Sequence, residues 1–199
     1  FGARAFAKNP SVEELTEALA YAHLRDKKIY LTVNTLLTDQ EIQESLYEMI
    51  MPLYEAGLDA CIVQDPGVMS FLHRNFPGMD LHASTQMTLF SGEEANLYKK
   101  LGVTRYVPAR ELSIEEIKQA RKQTDLEIEV FVHGALCYCY SGQCLMSEVI
   151  GGRSGNRGMC AQPCRLVFEG DKGKKNYLNT KDICTLFYIP ELVEAGIDS

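Results

Sequence analysis

Glu55-Ala-Gly-Leu-Asp59 runs directly into Ala60-Cys-Ile-Val-Gln64, and the same joint returns as Glu194-Ala-Gly-Ile-Asp198. In both copies a helical run stops at a glycine and a strand begins. Glycine supplies the left-handed residue that ends a helix, and a short run of aliphatic residues after it reads as a strand. A helix-to-strand joint used twice implies repeated β-α units and a parallel sheet.

Working outward from that joint, capping boxes mark the helix starts. Ser11-Val-Glu-Glu14 opens a helix with Leu15, Ala18, Leu19 and Ala22 on one face. Thr38-Asp-Gln-Glu41 opens a second through Ala56, with Gly57 after it and Pro52 as a kink or division. Pro66–Phe76 reads as a short helix entered through proline. Ser91-Gly-Glu-Glu94 starts a helix closed by Gly102, and Ser113-Ile-Glu-Glu116 starts one that ends near Gln123. Asp182–Ala195 reads as helical with an interruption at Pro190. Predicted strands lie at Lys28–Asn34, Leu58–Gln64, Leu81–Ser84, Thr104–Val107, Leu126–His133 and Asn176–Asn179, with Leu126–His133 the clearest.

The spacing gives five or six β-α units. No GxGxxG follows a first strand, so nothing points to a dinucleotide site. The expectation is a (β/α)8 TIM-like barrel, incomplete at both ends, with an irregular cysteine-rich insertion after a barrel strand. Residues 1–133 form barrel units, 134–176 the insertion, and 177–199 a returning unit. The opening FGARAFAKNP, without methionine, and the final EAGIDS read as the ends of an excised piece. Open sheet edges at missing strands favour association.

Barrel chemistry gathers where strands end at their C-termini. Those ends are Asn34, Asp65, Thr85 with Gln86, Arg110 with Glu111, and His133. Each alone reads equally as a loop or helix cap; together they describe a polar pocket. The cysteine-rich loop leaves from the same end. Five of seven cysteines (137, 139, 144, 160 and 164) lie between Glu129 and Arg165, and Cys184 follows. Without a secretory signal, this favours metal or redox chemistry over a disulfide framework. No paired C-x-x-C knuckle is present, and irregular loop-borne thiols suit an iron–sulfur cluster, with zinc as the alternative. Cys139, beside Tyr138 and Tyr140, reads as packing, and Cys61 as a buried strand residue. A Cys–His nucleophile, Cys137 with His133, is a further option; it requires an orienting group and an oxyanion site.

The net charge of −7 argues against non-specific coating of nucleic acid. The charge is uneven, however: residues 133–181 hold seven Lys/Arg and three acids. A basic loop on an acidic scaffold suits an anionic small molecule or a short stretch of RNA, or else is simply a solvated loop. No apolar run approaches the roughly 18–20 residues of a membrane helix, and a cytoplasmic protein is expected.

Glu129-Val-Phe-Val-His-Gly-Ala-Leu-Cys137, followed by Ser141-Gly-Gln-Cys144 and Ser147, closely resembles the signature of the collagenase-like peptidase family U-32. Gly151–Arg165 and Leu178–Cys184 are similar to later blocks of that family. So are FGARAFAKN at the start, TVNT at 32–35, DPGV at 65–68, STQ at 84–86 and ARELS at 109–113. The resemblance spans essentially the whole chain and implies a TIM-like barrel. It implies either proteolysis of collagen-like substrates or hydroxylation. Family hydroxylases make 5-hydroxycytidine in ribosomal RNA or 5-hydroxyuridine in tRNA, the latter with prephenate as oxygen donor, and other members support ubiquinone hydroxylation. A 4Fe-4S cluster held by four cysteines belongs to the pattern. By position, Cys137, Cys144, Cys160 and Cys184 are the implied ligands, with Cys164 as substitute for Cys184. A non-catalytic RNA-binding or accessory module is a third reading.

The residues fit hydroxylation better than proteolysis, since HExxH and GxSxG are absent. Arg153, Arg157, Arg165, Arg110 and Asn34 are then candidates for binding a prephenate-like donor or RNA phosphate, or for tying the loop to the scaffold. His133, Glu129 and Gln86 are the candidates for acid–base or orienting roles.

Overall fold

The computed structural model describes Gly2 and residues 4–199. Its centre is a five-stranded parallel sheet: β1 (Tyr30–Val33), β2 (Ala60–Val63), β3 (Asp80–Ala83), β4 (Val103–Tyr106) and β5 (Glu127–Ile128). The strands lie side by side in chain order. No reversal of order occurs, so the sheet lacks the switch point of a doubly wound fold.

Helices fill the intervals. Those before β4 are α1 (Val12–His23), α2 (Asp39–Glu41), α3 (Tyr47–Glu55), α4 (Pro66–Asn75) and α5 (Gly92–Asn96), and α6 (Ile114–Gln123) leads into β5. All four expected capping boxes form, at Ser11–Glu14, Thr38–Glu41, Ser91–Glu94 and Ser113–Glu116. Each satisfies two N–H groups that a helix start leaves without partners. The helix after Thr38 is not divided at Pro52. A π-helical turn, Ile42–Leu46, joins α2 to α3, and Pro52 lies inside α3. The wider turn changes the hydrogen-bond register ahead of a residue with no N–H to give.

The pleat sorts the side chains. Leu31, Cys61, Leu81 and Val103 form one row, and Val33, Val63, Ala83, Tyr106 and Ile128 another on the same face. Leu19, Leu46, Ile50, Leu53, Val68, Met69 and Leu72 from the helices pack against them. The opposite face holds Thr32, Ile62, His82, Arg105 and Glu127 in register. There Arg105 pairs with Glu127 at 2.6 Å and Glu129 at 3.1 Å. His82 is buried edge-on against Tyr30, and burial, then Arg105, lowers its pKa to about 4.

Three predicted elements differ. The strand expected at Leu126–His133 is split. Only Glu127–Ile128 belongs to the parallel sheet, although Glu129 N–H still donates to Tyr106 O. Ile128 and Val130 bond instead with Asp198 and Ser199, so the second glycine joint does deliver its chain beside β5. Downstream, β6 (His133–Gly134) turns away to find another partner. The helix expected from Asp182 starts later, as α8 (Ile189–Glu194) with Pro190 in its first turn. Before it, β9 (Ile183–Cys184) pairs antiparallel with β6. No strand forms at 176–179. A hairpin of β7 (Phe168–Gly170) and β8 (Gly173–Lys175) precedes it instead, where lysines and glycines conceal any alternation. The remaining helix, α7 (Met146–Gly151), lies within the cysteine-rich segment. Among the described residues, no helix is long and apolar enough to cross a membrane.

Replacing buried Leu81 by alanine should cost about 2–5 kcal/mol. Leu24→Ala, at an exposed site, should change stability by no more than about 0.5 kcal/mol. Urea unfolding of the two variants tests this core assignment; comparable losses would contradict it.

Candidate functional site at the strand ends

Parallel strands bring all their C-termini to one edge. Beyond β1 lies Asn34, whose amide donates to Ser84 Oγ at 3.4 Å. Beyond β3, buried Thr85 donates its hydroxyl to Pro108 O at 3.0 Å, and Ser84 Oγ accepts from Gln86 N–H at 3.2 Å. Beyond β4 come Arg110 and Glu111. Asp65, another predicted strand-end residue, is the N-cap of α4 and accepts from Gly67 and Val68.

The cysteine-rich segment folds back over this edge. Ser141 is its anchor and is 0% exposed. Its N–H donates to Glu111 Oε1 at 2.7 Å, its hydroxyl accepts from Arg110 Nε at 3.1 Å, and its carbonyl accepts from the Thr88 hydroxyl. Gly142 then passes so close to Gln86 that an added Cβ would stand 2.1 Å from the Gln86 carbonyl oxygen. Its φ of +72° is also a conformation that favours glycine. Farther on, Arg157 forms a two-pronged pair with Glu41, at 2.6 and 2.8 Å, and donates to Leu36 O. Leu36 N–H and the Gln64 amide both donate to Asn156 O. The Arg157 hydrogen bonds, then the Thr38 N–H, lower the Glu41 pKa to about 2.

Between segment and sheet lies a cavity of about 550 Å³. Asn34, Gln86, Arg110, His133, Cys137, Cys144 and Cys160 all line it. Seven candidates widely spaced in the chain thus share one space. The others lie elsewhere. Glu129 is engaged by Arg105 on the sheet face. Arg153 donates to Met159 O at 2.9 Å and lies over the Phe6 ring, and Arg165 pairs with Asp182 at 3.5 Å. With Arg157 on Glu41, all three loop arginines tie the segment together or hold it to the scaffold. Cys184 faces His133 across the β6–β9 pair, and Cys164 sits in the short 3-10 turn Pro163–Arg165.

All seven cysteines are free thiols. Burial, then neighbouring Cys144, raises the Cys139 pKa, so the cysteine set aside as packing lies against a cavity thiol. Among the described residues, no three His, Cys, Asp or Glu side chains stand as a formed metal-binding set. The donors nonetheless fit a soft metal or cluster in kind, since thiolates select zinc or iron–sulfur. Ser141, Thr88 and Glu41 were not singled out as site residues by sequence. The Ser-Gly before Cys144 was the available signal for Ser141; Glu41 was visible only as half of a capping box.

Residues 1–199 match the family described as Peptidase family U32. The chain belongs to that family. Among curated relatives it is 41% identical over 206 residues to the 23S rRNA 5-hydroxycytidine C2501 synthase of Escherichia coli, covering all of this chain and 31% of that protein. It is 33% identical to the tRNA hydroxylation protein P1 of Bacillus subtilis, covering all of this chain and 50% of the relative. It is 39% identical to a protein of Methanocaldococcus jannaschii named as an uncharacterized protease, covering 96% of this chain and 50% of that one. The U32 chain thus spans about a third to a half of the length of these relatives. Its fold is similar to the U32 peptidase Mk0906, with a TM-score of 0.54 at 16% identity, covering 67% of this chain and 57% of that one. It is also similar to the putative copper homeostasis protein CutC of Streptococcus agalactiae, with a TM-score of 0.53 at 18% identity, covering 63% and 71%.

Two outcomes follow from the anchoring geometry. Gly142→Ala should lower the unfolding midpoint of the U32 chain and expose the segment after His133 to protease, because the Gln86 backbone must shift. An unchanged cleavage pattern would argue against the close approach. Glu41→Gln should cost about 1 kcal/mol near neutral pH. Glu41 has a folded-state pKa below its ordinary value, so its contribution is present above about 4.5 and is lost as pH falls toward about 2. Urea unfolding of wild type and variant across that window should show the difference shrinking; a difference that grows on acidification contradicts it.

Proposed function

We propose that this U32 domain is the cluster-bearing part of an RNA base hydroxylase. The observation that carries the reading is the convergence of Cys137, Cys144 and Cys160 with His133, Gln86, Asn34 and Arg110 on one cavity at the C-terminal edge of a parallel sheet. The names of the relatives from Escherichia coli and Bacillus subtilis give the same direction. The sequential strand order, and the bonding of Asp198 and Ser199 beside β5, support reading the sheet as an arc of a TIM-like barrel.

Cys137, Cys144, Cys160 and Cys184, with Cys164 as substitute, would hold a 4Fe-4S cluster. When bound, such a cluster supplies one-electron chemistry that side chains lack; zinc on the same thiols is the alternative. The chain's own groups have separate tasks. Asn34 and Gln86 orient polar edges of the substrate, Arg110 faces an anionic donor of prephenate type or a phosphate, and His133 holds or moves a proton at a ring nitrogen. Ser141 and Gly142 fix the loop so that the thiols stay over the strand ends. A ribosomal or transfer RNA substrate would suit a cytoplasmic protein. The peptidase reading, favoured by the name of the Methanocaldococcus jannaschii relative, requires either a free thiol as nucleophile or a metal-bound water.

Anaerobic reconstitution with iron and sulfide should give a brown protein with about four iron atoms per chain. Cys137→Ser, Cys144→Ser and Cys160→Ser should each lose most of that iron. A strain lacking the protein should lose one hydroxylated pyrimidine from its RNA, seen by nucleoside mass spectrometry and not restored by these variants. Gelatin cleavage by iron-free protein, with an unchanged nucleoside profile, would replace this reading by the peptidase one.

A further inference from the structure

Two large aromatic rings line the cavity yet remain half in solvent: Phe131 is 50% exposed and Tyr140 60%. Their backbones are not loose. Tyr140 immediately precedes the buried Ser141 anchor. Its ring is braced by Phe90, with centroids 6.0 Å apart and planes at 68°, an edge-to-face arrangement favoured by the ring quadrupoles. Phe90 is itself fixed where α5 begins, since its N–H donates to Glu94 Oε2 at 2.6 Å. Phe131 follows directly on the part of the chain that bonds to Ser199 through Val130. The molecule therefore holds exposed aromatic surface at fixed positions around a concave site whose lining mixes amides, thiols and an imidazole with aliphatic side chains. Water gains nothing from such a surface, whereas a flat apolar ligand would stack on it.

We propose that Tyr140, braced by Phe90, and Phe131 form a stacking platform that receives a single unpaired base of the RNA substrate in the cavity; this rests on the RNA reading above. Every base has a π-face, so stacking grips it whatever its identity, and a base inside a duplex cannot offer that face. Asn34 and Gln86 supply amide donors and acceptors for the base edge from the cavity wall. The exposed Lys172, Lys174, Lys175 and Lys181 suit the adjoining phosphates. The target nucleotide therefore has to be unstacked before it is modified.

The 199-residue chain contains no tryptophan, so Tyr140→Trp makes a single reporter. Its emission should fall clearly on adding a single-stranded RNA of about ten nucleotides, and much less with a duplex of the same strand. A Tyr21→Trp reporter on α1, outside the cavity lining, should not respond. By filter retention at fixed salt, Tyr140→Ala and Phe131→Ala should each weaken binding of the single strand about 5- to 100-fold. Tyr140→Phe should stay within about twofold, which separates a lost face from a lost hydroxyl; it and the tryptophan variant serve if the alanine variants fail to fold. Retained RNA with unchanged Tyr140→Trp emission and unchanged affinity on alanine substitution would overturn the platform and leave the RNA reading standing. No retention of any RNA by wild type would overturn both. Equal quenching by a Gly-Pro-Pro repeat peptide that displaces the RNA would assign the platform to a peptide instead.

Discussion

Ser141 is a small polar residue with no exposure, and every hydrogen-bonding group it has is engaged. An unpaired buried polar group costs roughly 1–3 kcal/mol, so such a residue tolerates few alternative positions. Its partners come from two different strand ends: Thr88 follows β3, and Arg110 and Glu111 follow β4. The segment is thus pinned across neighbouring strands. Gly142 and Gln86 then have no room between them, and Cys137, Cys144 and Tyr140 are placed by short tethers on either side. The second attachment, Arg157 on Glu41, is two-pronged but partly exposed, so it contributes geometry more than energy. It fixes Asn156 over the ends of β1 and β2, where Leu36 and Gln64 meet it. Between the two anchors lies the cavity.

The parallel sheet makes this arrangement possible at low cost. Strands that all point the same way deliver polar C-terminal residues to a single edge, while their apolar rows stay beneath the helices. An insertion after the last strand has only to fold back over that edge to cover every strand end at once. The opposite sheet face is occupied differently. Arg105 with Glu127 and Glu129 forms a layer of charge there, beside His82, which burial and then Arg105 hold below its ordinary pKa and so keep neutral near pH 7. Glu129 belongs to that layer because it lies two residues after Glu127, on the same side of an extended chain, whereas His133 lies beyond the point where the chain turns away to pair with β9.

What the sequence made legible divides along the same line. Local signals were sufficient for the helix starts, since a capping box involves residues three apart and needs no tertiary context. The glycine joints did the same for the helix ends. Leu126–His133 was read as one strand because its composition is uniform, but a strand persists only where a partner lies beside it, and here the partner changes after Val130. Cys184 was expected in a helix for the converse reason, its pairing with His133 being made across a long separation. The hairpin at 168–175 has lysines where alternation would show, so period and composition conceal it. The family resemblance grouped Cys137, Cys144 and Cys160, which do line one cavity, but also Cys184, which lies on β9 outside that lining; their spacing alone grouped none of them.

A cation in a basic loop is equally suited to a phosphate or to a carboxylate of its own chain, and sequence does not distinguish the two. Arg157 is bound to Glu41, Arg165 to Asp182, and Arg153 to a backbone carbonyl. Their guanidinium groups are already committed to positioning the segment. Arg110, also bonded to Ser141, is the member of the candidate set that both anchors the loop and borders the cavity. Among the described residues, Arg4 and Arg110 are the charged side chains on the cavity wall; amides, an imidazole, thiols, aromatic rings and aliphatic side chains such as Leu112, Ile117 and Leu136 make up the rest. Such a lining suits a base far better than it suits a phosphate.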